Sequence, residues 1–208
     1  MMRSFANALI LFIRAGILAI CLAFATAGCS RSPRVTFYTL ESGAKAEYAA
    51  AATAAPAVVV GPVTLPEVVD RPQLVVRVAT NRVDILEAHR WAEPLKSEIP
   101  RLIAEDLGSL LGSSRVLSYL QNTGADADYR VLVDIQRFES SSGEAVTVEA
   151  VWSLRRVGGG APKTGHSLVH EPVAAAGYDP LVAAYGRALL AVSADLAKAI
   201  RAEAALKH

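Results

Sequence analysis

Cysteine is nearly missing from this chain of 208 residues: Cys21 and Cys29 are the only two, and both lie near the start. No disulfide framework can therefore staple the remainder, and a core must hold the fold by itself. Histidine is also scarce, with four residues, so a closed structural zinc site lacks ligands. His166 and His170 would share a helix face, but their surroundings read as a strand, where four residues span ~13 Å. The serines form no G-x-S-x-G elbow; Ser113-Ser114 and Ser140 to Ser142 fall in turn contexts. Gly158-Gly159-Gly160 has no G-K-[ST] after it and is no phosphate loop. Asp70, Asp84 and Asp134 have no carboxylate partner at a telling spacing. These gaps lead to the expectation of a protein that is not an enzyme and uses no metal or cofactor. Charge of one sign is missing as well: the formal net charge is +1. A nucleic-acid partner, which would need a basic stripe, is not expected.

What the chain does have begins at its front. Met1 to Arg14 carries Arg3 and Arg14 and no acid, and Ala15 to Thr26 is uncharged and apolar. Ala27, Gly28 and Cys29 follow. A basic start, a short apolar run and small residues before a cut site describe a secretory signal peptide. The run is short for a bilayer span, which takes ~20 residues. Ending on Ala-Gly-Cys, it resembles a bacterial lipoprotein signal, with Cys29 as the lipidated first residue of the mature chain. Cys21 follows the bulky Ile20 and suits that cleavage poorly. An uncleaved anchor, or an ordinary thiol in a secreted protein, are the other readings. Ser30 follows Cys29, with no Asp to mark inner-membrane retention, so the expected location is the periplasmic face of the outer membrane. Loss of residues 1–28 leaves 19 basic residues against 20 acidic ones. The expected organisation is a signal peptide (1–28), a tether (29–34) and a single domain (35–208).

Along that domain, Val35 to Leu40 has strand character, and Ser42 to Pro56 is an Ala-rich surface loop. Ala57 to Val63 reads as a buried strand, bent or interrupted at Gly61-Pro62. Leu65 to Pro72 reads as turns. Gln73 to Ala79 and Val83 to Ala88 read as a hairpin across Thr80-Asn81-Arg82, with Asn81 in a left-handed conformation. Leucines and isoleucines from Leu95 to Leu111 recur at helical spacing. Pro100 places the predicted start near Ser97, and Gly112 caps the end. Arg115 to Leu120 is a short strand. Tyr129 to Phe138 and Ala145 to Arg156 alternate as a second hairpin, and Gly165 to Val173 adds a more polar strand near an edge. The last helix is predicted with Asp179 as N-cap, Pro180 first, and an apolar stripe of Leu181, Tyr185, Ala188, Leu189, Val192, Leu196 and Ile200. Strands, helix, strands, helix give an α+β class: a mixed or antiparallel sheet with two main helices on one face.

One stretch is more specific. Val60-Gly61-Pro62-Val63-Thr64-Leu65-Pro66-Glu67 leads to Asp70-Arg71-Pro72-Gln73, and Arg90-Trp91-Ala92-Glu93-Pro94-Leu95 follows after the strands. With the FYTL strand behind the cysteine, these segments resemble the PqiC-like ABC-type transport auxiliary lipoprotein family. The resemblance implies a fold like the N-terminal domain of TolB-like proteins. It also implies a partner, an inner-membrane MCE-domain protein (PqiB-like) that moves phospholipid between membranes, and a homo-oligomeric ring. The residues that carry it are Gly61, Pro62, Leu65, Pro66, Asp70, Arg71, Pro72, Arg90, Trp91, Pro94 and Leu95. Taken alone, Arg71 reads as a turn residue pairing with Asp70 or capping carbonyls, or as a partner contact. Trp91 reads as core or as an interface anchor. Two other functions remain beside this one: a lipid carrier with an apolar groove between sheet and helices, and an outer-membrane assembly lipoprotein with no MCE partner.

Overall fold

The longest local pairing in the molecule joins β6 (Tyr129–Ser141) to β7 (Ala145–Arg156), and β7 pairs in turn with β8 (Lys163–Pro172), all antiparallel. The computed structural model describes residues 34–44, 55–121, 126–141 and 144–206. Cys29, the leader and most of the Ala-rich segment lie outside them. The other strands are β1 (Thr36–Tyr38), β2 (Val58–Thr64), β3 (Gln73–Ala79), β4 (Arg82–Trp91) and β5 (Val116–Ser118). They complete an eight-stranded sheet ordered β1-β4-β3-β6-β2-β5, with β7 and β8 continuing from the far side of β6. β1–β4, β2–β5 and β2–β6 are parallel and β3–β4 antiparallel, so the sheet is mixed. The two helices, α1 (Leu95–Leu111) and α2 (Tyr178–Ala205), cover one face. The other face is open to solvent and carries Arg130, Asp134, His166 and His170 together with the exposed Leu132 and Leu168.

Alternation explains the layering. On β6, Tyr129, Val131, Val133 and Ile135 are buried while Arg130, Leu132 and Asp134 face out. The register then slips between Ile135 and Arg137, and Phe138 and Ser140 become the buried residues. This bulge lets one strand serve two neighbours, β2 along its first half and β3 at its end. On β7, Val146, Val148, Ala150, Trp152 and Leu154 all point inward. They meet the α2 stripe, in which Ala188, Leu189, Val192, Leu196 and Ile200 are fully buried. Burying one such aliphatic side chain contributes about 1.5–3 kcal/mol. α2 is long and apolar enough for a membrane span, yet most of it is buried within the domain.

Three expectations are corrected. α1 starts at Leu95, with Pro94 as N-cap, and Pro100 sits inside it. The proline removes one backbone bond to Lys96, a cost of about 3 kcal/mol. Burial of Leu95, Ile99, Leu102, Ile103 and Leu107 on the same helix outweighs it. Asp179 is not the N-cap of α2; Gly177 is, at φ 111°, and Asp179 lies in the first turn. Tyr178 docks on His89, with ring centroids 4.1 Å apart, and so draws the helix start forward. Asn81 is not left-handed, since no non-glycine residue described has positive φ. A register slip between Arg77 and Ala79 supplies the twist beside the turn instead.

α2 runs antiparallel to β8 and is fastened to it at three points. Arg187 Nε lies 2.5 Å from Glu171, Ser167 Oγ donates to Asp195 at 2.7 Å, and Lys163 Nζ lies 3.5 Å from Glu203. Successive fastenings are four residues apart on the strand and eight apart on the helix. Four strand residues rise about 13 Å and eight helix residues about 12 Å, so the two spacings match.

Candidate functional site: a cleft built by two separated segments

The turn before β3 and the turn after β4 lie side by side because the hairpin returns the chain to its starting point. Gln73 pairs with Arg90, and the Trp91 N–H donates to the Pro72 carbonyl at 2.7 Å. The Pro66 carbonyl accepts from the N–H groups of Val69 and Asp70, which shapes the approach. Ala92 N–H donates to Tyr38 O at 2.8 Å and ties the same corner to β1. A cleft of about 240 Å³ results, lined by Asp70, Arg71, Pro72, Trp91, Pro94 and Leu95 among others.

Six of the eleven residues singled out in the sequence therefore share one surface site. Arg90 stands beside it, with its guanidinium turned to Glu87. The other four sit elsewhere. Gly61, at φ 105°, and Pro62 interrupt β2 through a cis peptide and a register slip. A side chain at Gly61 would also strike the Tyr119 ring. Leu65 packs on the core and Pro66 holds the turn. These four are backbone and packing devices. Cys29 lies outside the described residues.

Trp91 forms the inner wall and is 6% exposed. It meets Tyr185 edge-on at 6.0 Å and Phe138 at 6.3 Å, while Phe138 and Tyr185 stack at 4.1 Å. Burial pushes the Tyr185 hydroxyl upward, so it stays protonated. The core role of Trp91 thus holds, with its outer edge left to the cleft.

The charges at the rim are paired, with one exception. Asp70 pairs with Lys96 at 2.5 Å, not with Arg71, and Glu93 pairs with Arg101 at 3.0 Å. Of the readings open for Arg71, the pair with Asp70 is not formed: the N-terminal turn of α1 delivers Lys96 to that carboxylate. Arg71 is half-buried, and its Nε is buried without a hydrogen-bond partner. Leaving a buried donor unsatisfied costs about 1–3 kcal/mol. No feature of the sequence marked Arg71 as the cation left without a carboxylate at this rim among the described residues, because Lys96 is 26 residues away from Asp70.

Two buried carboxylates were not anticipated. Glu98 and Asp106 lie on α1 and are 1% and 0% exposed. Leu40 N–H donates to Glu98 at 2.8 Å; Ser42 and Ser193 hydroxyls donate to Asp106 at 2.5 and 3.1 Å. Burial pushes both carboxyls above the ordinary range, against the lowering effect of these donors. They hold Tyr38 to Ala44 as a strap beside the two helices. His166 and His170 point to the solvent-facing side of the sheet and bond Glu149 and Thr147. Among the described residues, no group of three or more His, Cys, Asp or Glu could hold a metal ion.

No curated protein matches the chain. A solved structure of an uncharacterized protein is similar to it at 19% identity and a TM-score of 0.62, covering 80% of this chain and 99% of that one. A Xanthomonas campestris protein of the DUF330 family is similar at 19% identity and a TM-score of 0.60, covering 77% of this chain and 92% of its own. At that identity the likeness speaks for the fold alone. The family model of the ABC-type transport auxiliary lipoprotein component matches residues 38–197, which include both cleft-forming segments. It is a family of auxiliary transport components, not of enzymes, working at the cell envelope beside a transport partner. The chain belongs to the ABC-type transport auxiliary lipoprotein family.

Proposed function

We propose that this protein is a non-enzymatic, lipid-anchored docking subunit of an MCE-type lipid transport system. In this reading residues 1–28 are removed, Cys29 carries the acyl chains, and residues 29–34 tether a single domain to the inner leaflet of the outer membrane. One acyl chain anchors marginally and two or more anchor stably. The domain then holds a PqiB-like MCE-domain partner at its destination. Anchoring raises the effective concentration of the docking contact, so modest affinity suffices. A homo-oligomeric ring would repeat that contact around a symmetric partner.

The observation that carries the reading is the convergence of two segments, some twenty residues apart, on one exposed cleft of a filled domain. A lipid carrier would need an open apolar groove between sheet and helices. That layer is instead occupied by Val60, Val131, Ile103, Leu107, Leu189 and Leu196, each fully buried. The test is crosslinking in intact envelopes followed by mass spectrometry. Recovery of an MCE-domain protein is expected; its consistent absence sinks the assignment. Copurified phospholipid in stoichiometric amount would favour the carrier instead. Cys29→Ser should leave the domain folded and release it from membranes. Continued sedimentation with the outer membrane would refute the anchor.

A further inference from the structure

We propose that the Pro72–Pro94 cleft receives an aspartate or glutamate side chain of the partner protein, with Arg71 as its counter-charge. The inference rests on the docking reading and names the chemistry of that contact.

Charge carries the argument. Asp70 and Glu93 flank the cleft, and both are already held, by Lys96 and Arg101. Arg71 belongs to the same lining, makes no ion pair among the described residues, and has a buried Nε with no acceptor. A guanidinium offers a planar fork of donors suited to a carboxylate. The cleft therefore presents a guanidinium for which the domain supplies no carboxylate. Its walls limit what can bring that anion. Pro72, Ala92 and Pro94 are exposed and apolar, and Trp91 closes the floor. Two prolines and a packed indole hold the walls rigid, so little ordering is needed on binding. The volume, about 240 Å³, falls below the roughly 300–1,000 Å³ of sites that enclose small molecules. It admits a side chain or two and not an acyl chain. The occupant is thus an acidic residue beside an apolar one, presented by a protein.

The experiment uses the full-length lipoprotein in native envelopes, with a photo-crosslinking benzoylphenylalanine in place of Ala92 at the rim. The expected product is a crosslink to an Asp- or Glu-bearing segment of an MCE-domain protein. Arg71→Glu should lower its yield by about tenfold or more, because it sets like charges against each other. Arg71→Gln, which keeps size and polarity, should also lower it while leaving the melting temperature unchanged, separating lost recognition from lost folding. Exchanging the charges, with Arg71→Glu here and Lys at the crosslinked acid, should restore the yield. A crosslink to phospholipid, a crosslink to a second copy of this chain, no crosslink, or a yield indifferent to Arg71 would each overturn the inference. If MCE protein is captured but Arg71 is irrelevant, only the inference fails. If an acidic segment is captured in an Arg71-dependent way from a protein without an MCE domain, the cleft stands and the docking reading falls.

Discussion

The strap and the cleft treat charge in opposite ways. Along the strap, two carboxylates are taken out of water and surrounded by donors from Leu40, Ser42 and Ser193. Around the cleft, carboxylates remain at the surface with Lys96 and Arg101, and one cation is left over. The first arrangement is enclosed within the molecule, with Glu98 Oε2 left there without a donor. The second leaves a requirement that another molecule can meet. Polar groups that close a fold therefore need to be told apart from those that address a partner, and access is the criterion: Glu98 and Asp106 are closed off from solvent, whereas Arg71 lines a surface cleft.

Substitutions can break this contrast. The largest effect is expected for Trp91→Ala, since Trp91 belongs to the cleft and to the core at once. Emptying the space against Phe138 and Tyr185 should cost about 3–5 kcal/mol in urea unfolding; a loss under 1 kcal/mol would mean the indole is not packed as described. Gly186→Ala comes next. Its new Cβ would sit 2.6 Å from the Glu41 carbonyl oxygen. Forcing the strap aside should cost about 1–3 kcal/mol and open residues 38–44 to limited proteolysis. Unchanged proteolysis would show that the strap does not lie against α2.

The third experiment separates the two regions by pH. The folded state holds the Glu98 and Asp106 protons more tightly than the unfolded chain does, whose values are near 4.5 and 3.8. Their contribution to stability is present at low pH and declines as pH rises above about 4 and through the raised folded values. The double variant Glu98→Gln with Asp106→Asn should lose that decline, so its stability relative to wild type should grow from pH 4 to pH 8. A constant difference would rule the titration out. The Arg77–Glu139 pair works the other way: Arg77 lowers the Glu139 carboxyl, and its contribution is lost as pH falls. The smallest effect is expected for Lys96→Ala. Its pair with Asp70 is half-exposed and contributes less than about 1 kcal/mol. A larger loss in thermal melting would mean that the pair organises the cleft.

Much of this could be read from the chain. Alternation from Val146 to Leu154 and the stripe from Leu181 to Ile200 gave the correct faces, because burial on one side imposes a period. Gly112 took its left-handed cap as expected, at φ 62°. Departures arose where tertiary contact overrode local preference. Tyr178 moved a helix start by docking on His89, and packing kept Pro100 inside α1. The bulge at Ile135–Arg137 lies where β6 passes from β2 to β3 while keeping β7 as its third partner, which periodicity cannot reveal. For the cleft, the two segments were legible as motifs, and their proximity was not. It depends on the return of β4 alongside β3, and the unpaired state of Arg71 on a lysine contributed by α1. Glu98 and Asp106 were illegible for the same reason: an acid in a helix reads as surface until its donors are known.

The three fastenings between β8 and α2 act like the graduations of a vernier. Two different rulers, one extended and one coiled, agree at 163 with 203, at 167 with 195 and at 171 with 187. Exchange of a side chain disturbs one graduation. Adding or removing a single residue within either ruler throws the graduations on its two sides out of step, turning part of the strand over or rotating part of the helix by about 100°. This part of the molecule is therefore far more tolerant of changes in spelling than of changes in length.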